Sequence, residues 1–412
     1  MPVFSRSLRE VGQTAASQGR AAATSPPAAS PAATGRRALQ LTLGVIWLLD
    51  AALQYQPYMF SKAFVSEVIF STAPGNPGFV SGPVTWAAGV MVRHIAVYNA
   101  LFATIQLLLG LGLLWRPAVK AALAASAVWA AGVWWLAEGL GGVLTGTANP
   151  VTGAPGAAVL YVLLAALAWP ARADGAPGAS VATSGWLGPV TPRVLWAVLW
   201  GSLGYTALQP AGRTPDGLAG AVAGMKEGEP GWVSAIDGAL AHALAHHGTQ
   251  AAAVIAALCA LAAVTVGLGR LTRVGLVAAA ALGALIWLAE DFGEVFTGQG
   301  TDPNSGLMLI VVAAAFWPLP ARRPAAAPPR GRTAGSWWLR RTRNEGEGGR
   351  DNGENPSSEP RPQGAVTASG PGKPGAWRGG DLHGWGLLTQ PGPGRLGGHP
   401  AVRPSYQGDP RR

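Results

Sequence analysis

WLAEGLGGVLTG, from Trp135 to Gly146, returns 152 positions later as WLAEDFGEVFTG, from Trp287 to Gly298, with eight of the twelve positions identical. A second echo, GNPGFVS (Gly75 to Ser81) against GEPGWVS (Gly228 to Ser234), is offset by 153, as is the pair Gln56-Pro57 against Gln209-Pro210. A constant offset over so long a distance marks one duplicated module. Positions kept in both copies, or changed in only one, then become clues to a site.

Each copy is strongly apolar. Hydrophobic residues make up 49% of the chain and charged ones 12%, too few to cover a soluble surface of this size, so the class is a membrane-embedded chain. Apolar stretches run over about Ala38–Tyr55, Ile95–Trp115, Ala118–Leu140 and Ala154–Trp169 in the first copy. In the second they run over about Val194–Leu208, Thr249–Leu268, Val274–Phe296 and Ser305–Trp317. Several approach the roughly 20 residues a helix needs to cross a bilayer. The expected fold is therefore all-α and polytopic: eight transmembrane helices in two parallel four-helix repeats. Between first and second spans each copy carries a long segment, Pro57–His94 and Pro210–Gly248, with a Gly-x-Pro-Gly turn and an amphipathic stretch, read as an outer interfacial helix.

The flanks read differently. Residues 1–37 are rich in Ala, Ser, Pro and Gly and carry +4, while residues 320–412 are rich in Pro, Gly and Arg and carry +8. Both are expected to be disordered. Membrane repeat one is placed at 38–171, a cytoplasmic linker at 172–193 and repeat two at 194–319. No continuous apolar run precedes Ala38, so the first hydrophobic helix is expected to direct insertion. Short loops with Arg116 and Lys120, Arg172 and Arg193, and Arg270 and Arg273 fall on one side with both arms, which predicts an inner-membrane protein with both termini cytoplasmic. The expected partners are the lipid bilayer and other membrane subunits or further copies. Basic arms without a folded binding motif do not point to nucleic acid. Trp115, Trp134, Trp135, Trp169, Trp287 and Trp317 sit near span ends, as an interfacial aromatic belt would.

Glu138 and Glu290 hold the same place in the two copies, and an ionisable group near a span end needs a partner or water. In copy one the expected partners are Arg93 and His94, with Asp50 in the first span. Copy two replaces these neighbours with His246 and His247, and adds His242, Asp291 and Glu294 where copy one has glycine. His242 and His246 are spaced i, i+4, as are Glu290 and Glu294, so two facing helices would present two imidazoles and two carboxylates to a divalent metal such as zinc, copper or iron. The HxxxH lacks the Glu that metal-dependent hydrolysis requires, and no nucleophile elbow or phosphate loop occurs, so no catalytic residue is assigned. Gly110, Gly112, Gly132 and Gly283 read as helix-packing contacts. The single Cys259 has no partner for an intrachain disulfide.

With a first span, an outer amphipathic segment and a hairpin whose Gln106–Trp115 (QLLLGLGLLW) ends in a basic turn at Arg116, the repeat resembles the DoxX/DoxD-like group of small four-helix membrane proteins. The likeness rests on hydropathy and glycine placement over about 280 residues. It implies a tandem four-helix bundle and, in some relatives, a link to quinone or sulfur redox chemistry in the cell envelope; no functional residue carries over one by one. Three functions stay open on the sequence: binding or transport of a cation or small solute, a redox accessory subunit for quinone or thiol, and a structural or assembly role in which Glu138 and Glu290 only fix helix ends.

Overall fold

A computed structural model describes residues 30–171, 179–224 and 229–320. The remaining residues of the arm, linker, outer segment and tail lie outside it. Among the described residues every regular element is helical. The α-helices are α1 (Pro31–Leu53), α2 (Gly78–Met91), α3 (Ile95–Leu114), α4 (Val119–Leu136) and α5 (Ala157–Leu167), then α6 (Thr191–Ala207), α7 (Gly217–Ala223), α8 (Gly231–Leu244), α9 (Gly248–Gly267), α10 (Thr272–Ala289) and α11 (Asn304–Ala315). The starts of α2, α3 and α4 recur 153 residues later at α8, α9 and α10, with matching lengths of 14, 20 and 18 residues.

Four helices are long and apolar enough to cross a membrane: α3, α4 with its leading turn from Arg116, α9 and α10. Their outward faces are apolar, with Val97, Val128 and Leu268 each more than two-thirds exposed. Such a surface is stable only against lipid or another apolar partner. Polar side chains point inward instead. Trp47 donates to Ser126 at 2.9 Å, and Asn99 donates to the Gln54 carbonyl at 2.6 Å. Helices α5 and α11 are shorter, 11 and 12 residues, so the fourth and eighth expected spans fall below a full crossing as helices.

Neighbouring helices pack in series: α1 on α3, α3 on α4 and α4 on α5, then α6 on α9, α9 on α10 and α10 on α11. The two halves meet where α5 packs on α11, and one continuous core holds Trp47 and Leu160 together with Trp196 and Met308. Three of the four packing glycines sit where a Cβ would press on a neighbour: Gly110 on Leu48, Gly112 on Ala122 and Gly283 on Ile310. Gly132 faces open space and is no packing contact.

Helix α1 begins at Pro31, inside the stretch expected to be a disordered arm. Ser30 caps it by accepting from the Ala33 amide, and Pro31 supplies a preset first turn. Arg37 then donates to the Leu113 and Leu114 carbonyls at 2.9 and 2.6 Å, a cation at the end of α3 where the helix dipole favours it. Gln40 donates to the Ala168 carbonyl beyond α5, so the start of α1 and the ends of α3 and α5 share one end of the bundle. Glu138 and Glu290, just past α4 and α10, lie at the other.

Candidate functional site

Helices α4 and α10 stop at Leu136 and Ala289, four and seven residues short of the ends of the apolar runs that suggested longer spans. Left-handed backbone at Gly139, Leu140 and Gly141, and again at Asp291, Phe292 and Glu294, breaks each run. Each glutamate is thereby released into the turn after its helix and reaches the start of the next one. Glu138 accepts from the Ala158 amide in the first turn of α5 at 3.0 Å. Glu290 accepts from the Ser305 hydroxyl at 2.6 Å and the Gly306 amide at 3.0 Å in the first turn of α11. A carboxyl at a helix start satisfies amides that no preceding turn can reach. Burial pushes the Glu290 carboxyl up to about 8, and burial with Asp302 nearby raises Glu138 as well.

Gly156 makes the first cap fit. Its φ is +98°, and a Cβ there would collide with the Glu138 carboxylate and press on Trp134, whose indole donates to the Pro155 carbonyl at 2.8 Å. Gly156→Ala is expected to cost about 1–3 kcal/mol through backbone strain and displacement of that carboxyl. Chemical unfolding in detergent micelles checks this, and the cost should shrink in a Glu138→Ala background, where the collision is gone.

The structure does not assemble the expected histidine–glutamate metal site. Helix α8 ends at Leu244 and Ala245 turns extended, so His242 and His246 leave a common helix face. His246 is exposed, with its ring 3.2 Å from Asp216 and its amide donating to the same carboxylate at 2.8 Å. His247 is exposed and turns its ring to the Ala245 carbonyl, and His242 is exposed. Glu290 is 2% exposed and faces α11. Nor do Arg93 and His94 pair with Glu138: both are exposed, and the one ion pair among the described residues is His246 with Asp216. Asp291 instead joins Glu229 and Asp237, one carboxylate oxygen from each lying within 4.8 Å of the others. Among the described residues this is the group of His, Cys, Asp and Glu whose geometry could hold a metal. Three carboxylates without imidazole suit a hard cation better than zinc or copper.

A cavity of about 540 Å³ opens between the two halves. Glu67 and Glu138 from the first half and Glu294 and Asp302 from the second line it, with no Lys, Arg or His among the described residues around it. Asp302 accepts from the Asn304 amide at 2.7 Å and the Thr301 hydroxyl at 3.0 Å. Burial raises Asp302 and Glu294, and Asp302 also acts on Glu294. Asp50 lies deeper, on α1, where it accepts from the Tyr161 hydroxyl at 2.7 Å. No protein-family model, curated protein or solved structure matches this chain.

Sequence reasoning found Asp50, Glu138, Glu290, Asp291 and Glu294 but missed Glu67, Tyr161, Glu229, Asp237 and Asp302. For three of these the signal was present at the 153-residue offset: Asn76 against Glu229, Val84 against Asp237, and Asn149-Pro150 against Asp302-Pro303. Asn149 and Asp302 make the same local turn, each accepting from the amide two residues on. Only the second brings an ionisable group to the cavity.

Proposed function

We propose that this chain is a polytopic membrane protein of two parallel four-helix repeats, crossing the bilayer through at least α3, α4, α9 and α10, that binds or transports a cation through the acidic vestibule between the repeats. The observation that carries this reading is the convergence of four carboxylates from both halves on one cavity without a basic residue among its described lining. Clustered carboxylates in a low-dielectric wall focus a negative potential that draws cations and repels anions. In each half a carboxyl also caps a helix start, so the structural role accounts for Glu138 and Glu290; Asp302 makes a turn that Asn149 makes without an ionisable group, Glu67 accepts from the Tyr58 hydroxyl, and the structural role does not account for Glu294. The alternative of a redox accessory subunit handling a quinone or thiol draws no support from the chain's own sulfur, since its single cysteine, Cys259, is fully buried in α9.

The test is thermal unfolding of the full chain in nonionic detergent, titrated at constant ionic strength with monovalent and divalent inorganic cations and with organic ammonium ions. At least one class should raise Tm saturably, by the equivalent of about 2.7 kcal/mol at a hundredfold excess over Kd. The shift should vanish in a Glu294→Gln, Asp302→Asn variant, whose Asn retains the turn that Asn149 makes. Absence of a saturable shift with every cation would overturn the reading.

A further inference from the structure

Behind the vestibule lies a second chamber, of about 450 Å³, walled by α1 to α5 and the helical segment Phe64–Ile69, with Thr301 and Asp302 at its edge. The two cavities share Glu138, Thr301 and Asp302, so the acidic mouth of one is the polar end of the other. The chamber is aromatic on several sides, with Trp47, Phe64, Trp86, Tyr98, Phe102 and Trp129 on its walls. An apolar wall of this size accepts a molecule with an organic body. A bare inorganic ion would meet only the chamber's few carboxyl and amide oxygens and leave its aromatic walls unfilled.

The polar groups facing this chamber are short of donors. Asp50, 1% exposed, uses Oδ2 to accept from Tyr161, while its Oδ1 is buried and has no hydrogen-bond partner among the described residues. Gln54 and Gln106, each less than a tenth exposed, line the same chamber and each present a buried side-chain oxygen that is likewise without a donor. No Lys, Arg or His lies among the described lining residues to neutralise Asp50, Glu138 or Asp302. A buried acceptor set of this kind is completed by a ligand that brings N–H groups and positive charge. Aromatic faces add to the attraction, because their π-electrons favour a cation held over the ring.

We propose that this chamber binds an apolar organic amine in its protonated form, its ammonium directed to Asp50 and its hydrocarbon body held among the tryptophans. The inference rests on the cation reading of the vestibule and names its substrate class. The vestibule admits the ion and the chamber selects for a body that prefers aromatic walls to water. A neutral apolar molecule would fill the same walls but leave the carboxylates without a counter-charge.

Equilibrium binding to the full chain in nonionic detergent decides it, with phenylbutylammonium as probe and phenylbutanol as its neutral counterpart. The amine is expected to bind about tenfold or more tighter than the alcohol, a difference worth about 1.4 kcal/mol. Asp50→Asn, which keeps an acceptor for Tyr161, should erase that preference. Gln106→Leu should weaken the amine more than the alcohol. Equal binding of amine and alcohol to the wild type would overturn the proposal whether or not the variants fold. If inorganic cations stabilise the protein but the amine shows no preference over the alcohol, the vestibule reading stands and this inference falls. If no cation of either kind binds, both fall. Amine binding lost in the Glu294→Gln, Asp302→Asn variant but insensitive to Asp50→Asn and Gln106→Leu would place the amine in the vestibule and overturn the chamber as its site.

Discussion

Glu290→Ala is expected to cost about 2–5 kcal/mol of stability, because it leaves the Ser305 hydroxyl and the Gly306 amide buried without an acceptor. Gly306 cannot move away to compensate: a Cβ there would collide with the Trp287 backbone, so α11 approaches α10 at van der Waals distance. Glu290→Gln keeps the shape and the oxygen for Gly306, and its amide can donate to Ser305. It should therefore stay within about 1 kcal/mol of the wild type near pH 5.

The two variants separate packing from charge. Burial raises the Glu290 carboxyl from 4.5 to about 8, so over that window the folded state holds a proton that the unfolded state has released. Its contribution is fully present below pH 4.5, falls as pH rises towards 8, and is constant beyond. Glu290→Gln removes this loss, so its stability should fall less steeply than the wild type's, by up to about 1.4 kcal/mol per pH unit. Denaturant unfolding in micelles at a series of pH values measures the slopes. Parallel slopes would mean that Glu290 is ionised in the folded protein and its carboxylate is stabilised by more than the two hydrogen bonds described.

Hydropathy was sufficient to locate α3, α4, α9 and α10 because a continuous apolar run of that length has few other uses. It overshot the ends of α4 and α10 because Leu140 and Phe292 are apolar yet adopt left-handed backbone, which no hydropathy scale registers. The same local chemistry defeated the His242–His246 reading. An i, i+4 spacing specifies a shared face only while the helix continues, and α8 ends between the two residues. Glu138 and Glu290 were legible as a pair through the repeat, but their partners were not, since Ala158, Ser305 and Gly306 offer backbone and hydroxyl donors that a search for charges passes over. The vestibule was the least visible, being assembled from the segments between the long helices of both halves, with Glu67 and Glu294 more than 200 residues apart in the chain.

Asp291→Asn is expected to stabilise the protein at pH 8, by on the order of 2 kcal/mol, against the usual direction of core substitutions. Burial, then the neighbouring Glu229 and Asp237, raises the Asp291 carboxyl well above its ordinary range. Its stabilising contribution is complete below pH 3.8 and is lost progressively as pH rises, because the unfolded chain gives up the proton first. Asparagine cannot ionise, so that loss disappears. It also suits the backbone, since Asp291 has a φ of +52° and asparagine tolerates the left-handed region better than most residues. Unfolding at pH 5 and pH 8 should show the variant's advantage growing with pH, and millimolar calcium decides what the trio is for. If calcium stabilises the wild type by more than it does the variant and reverses their order, the three carboxylates hold a cation and their mutual repulsion is the driving force for its capture. If calcium changes neither protein, the trio does not hold that cation, and neutralising one member relieves a cost the fold otherwise carries.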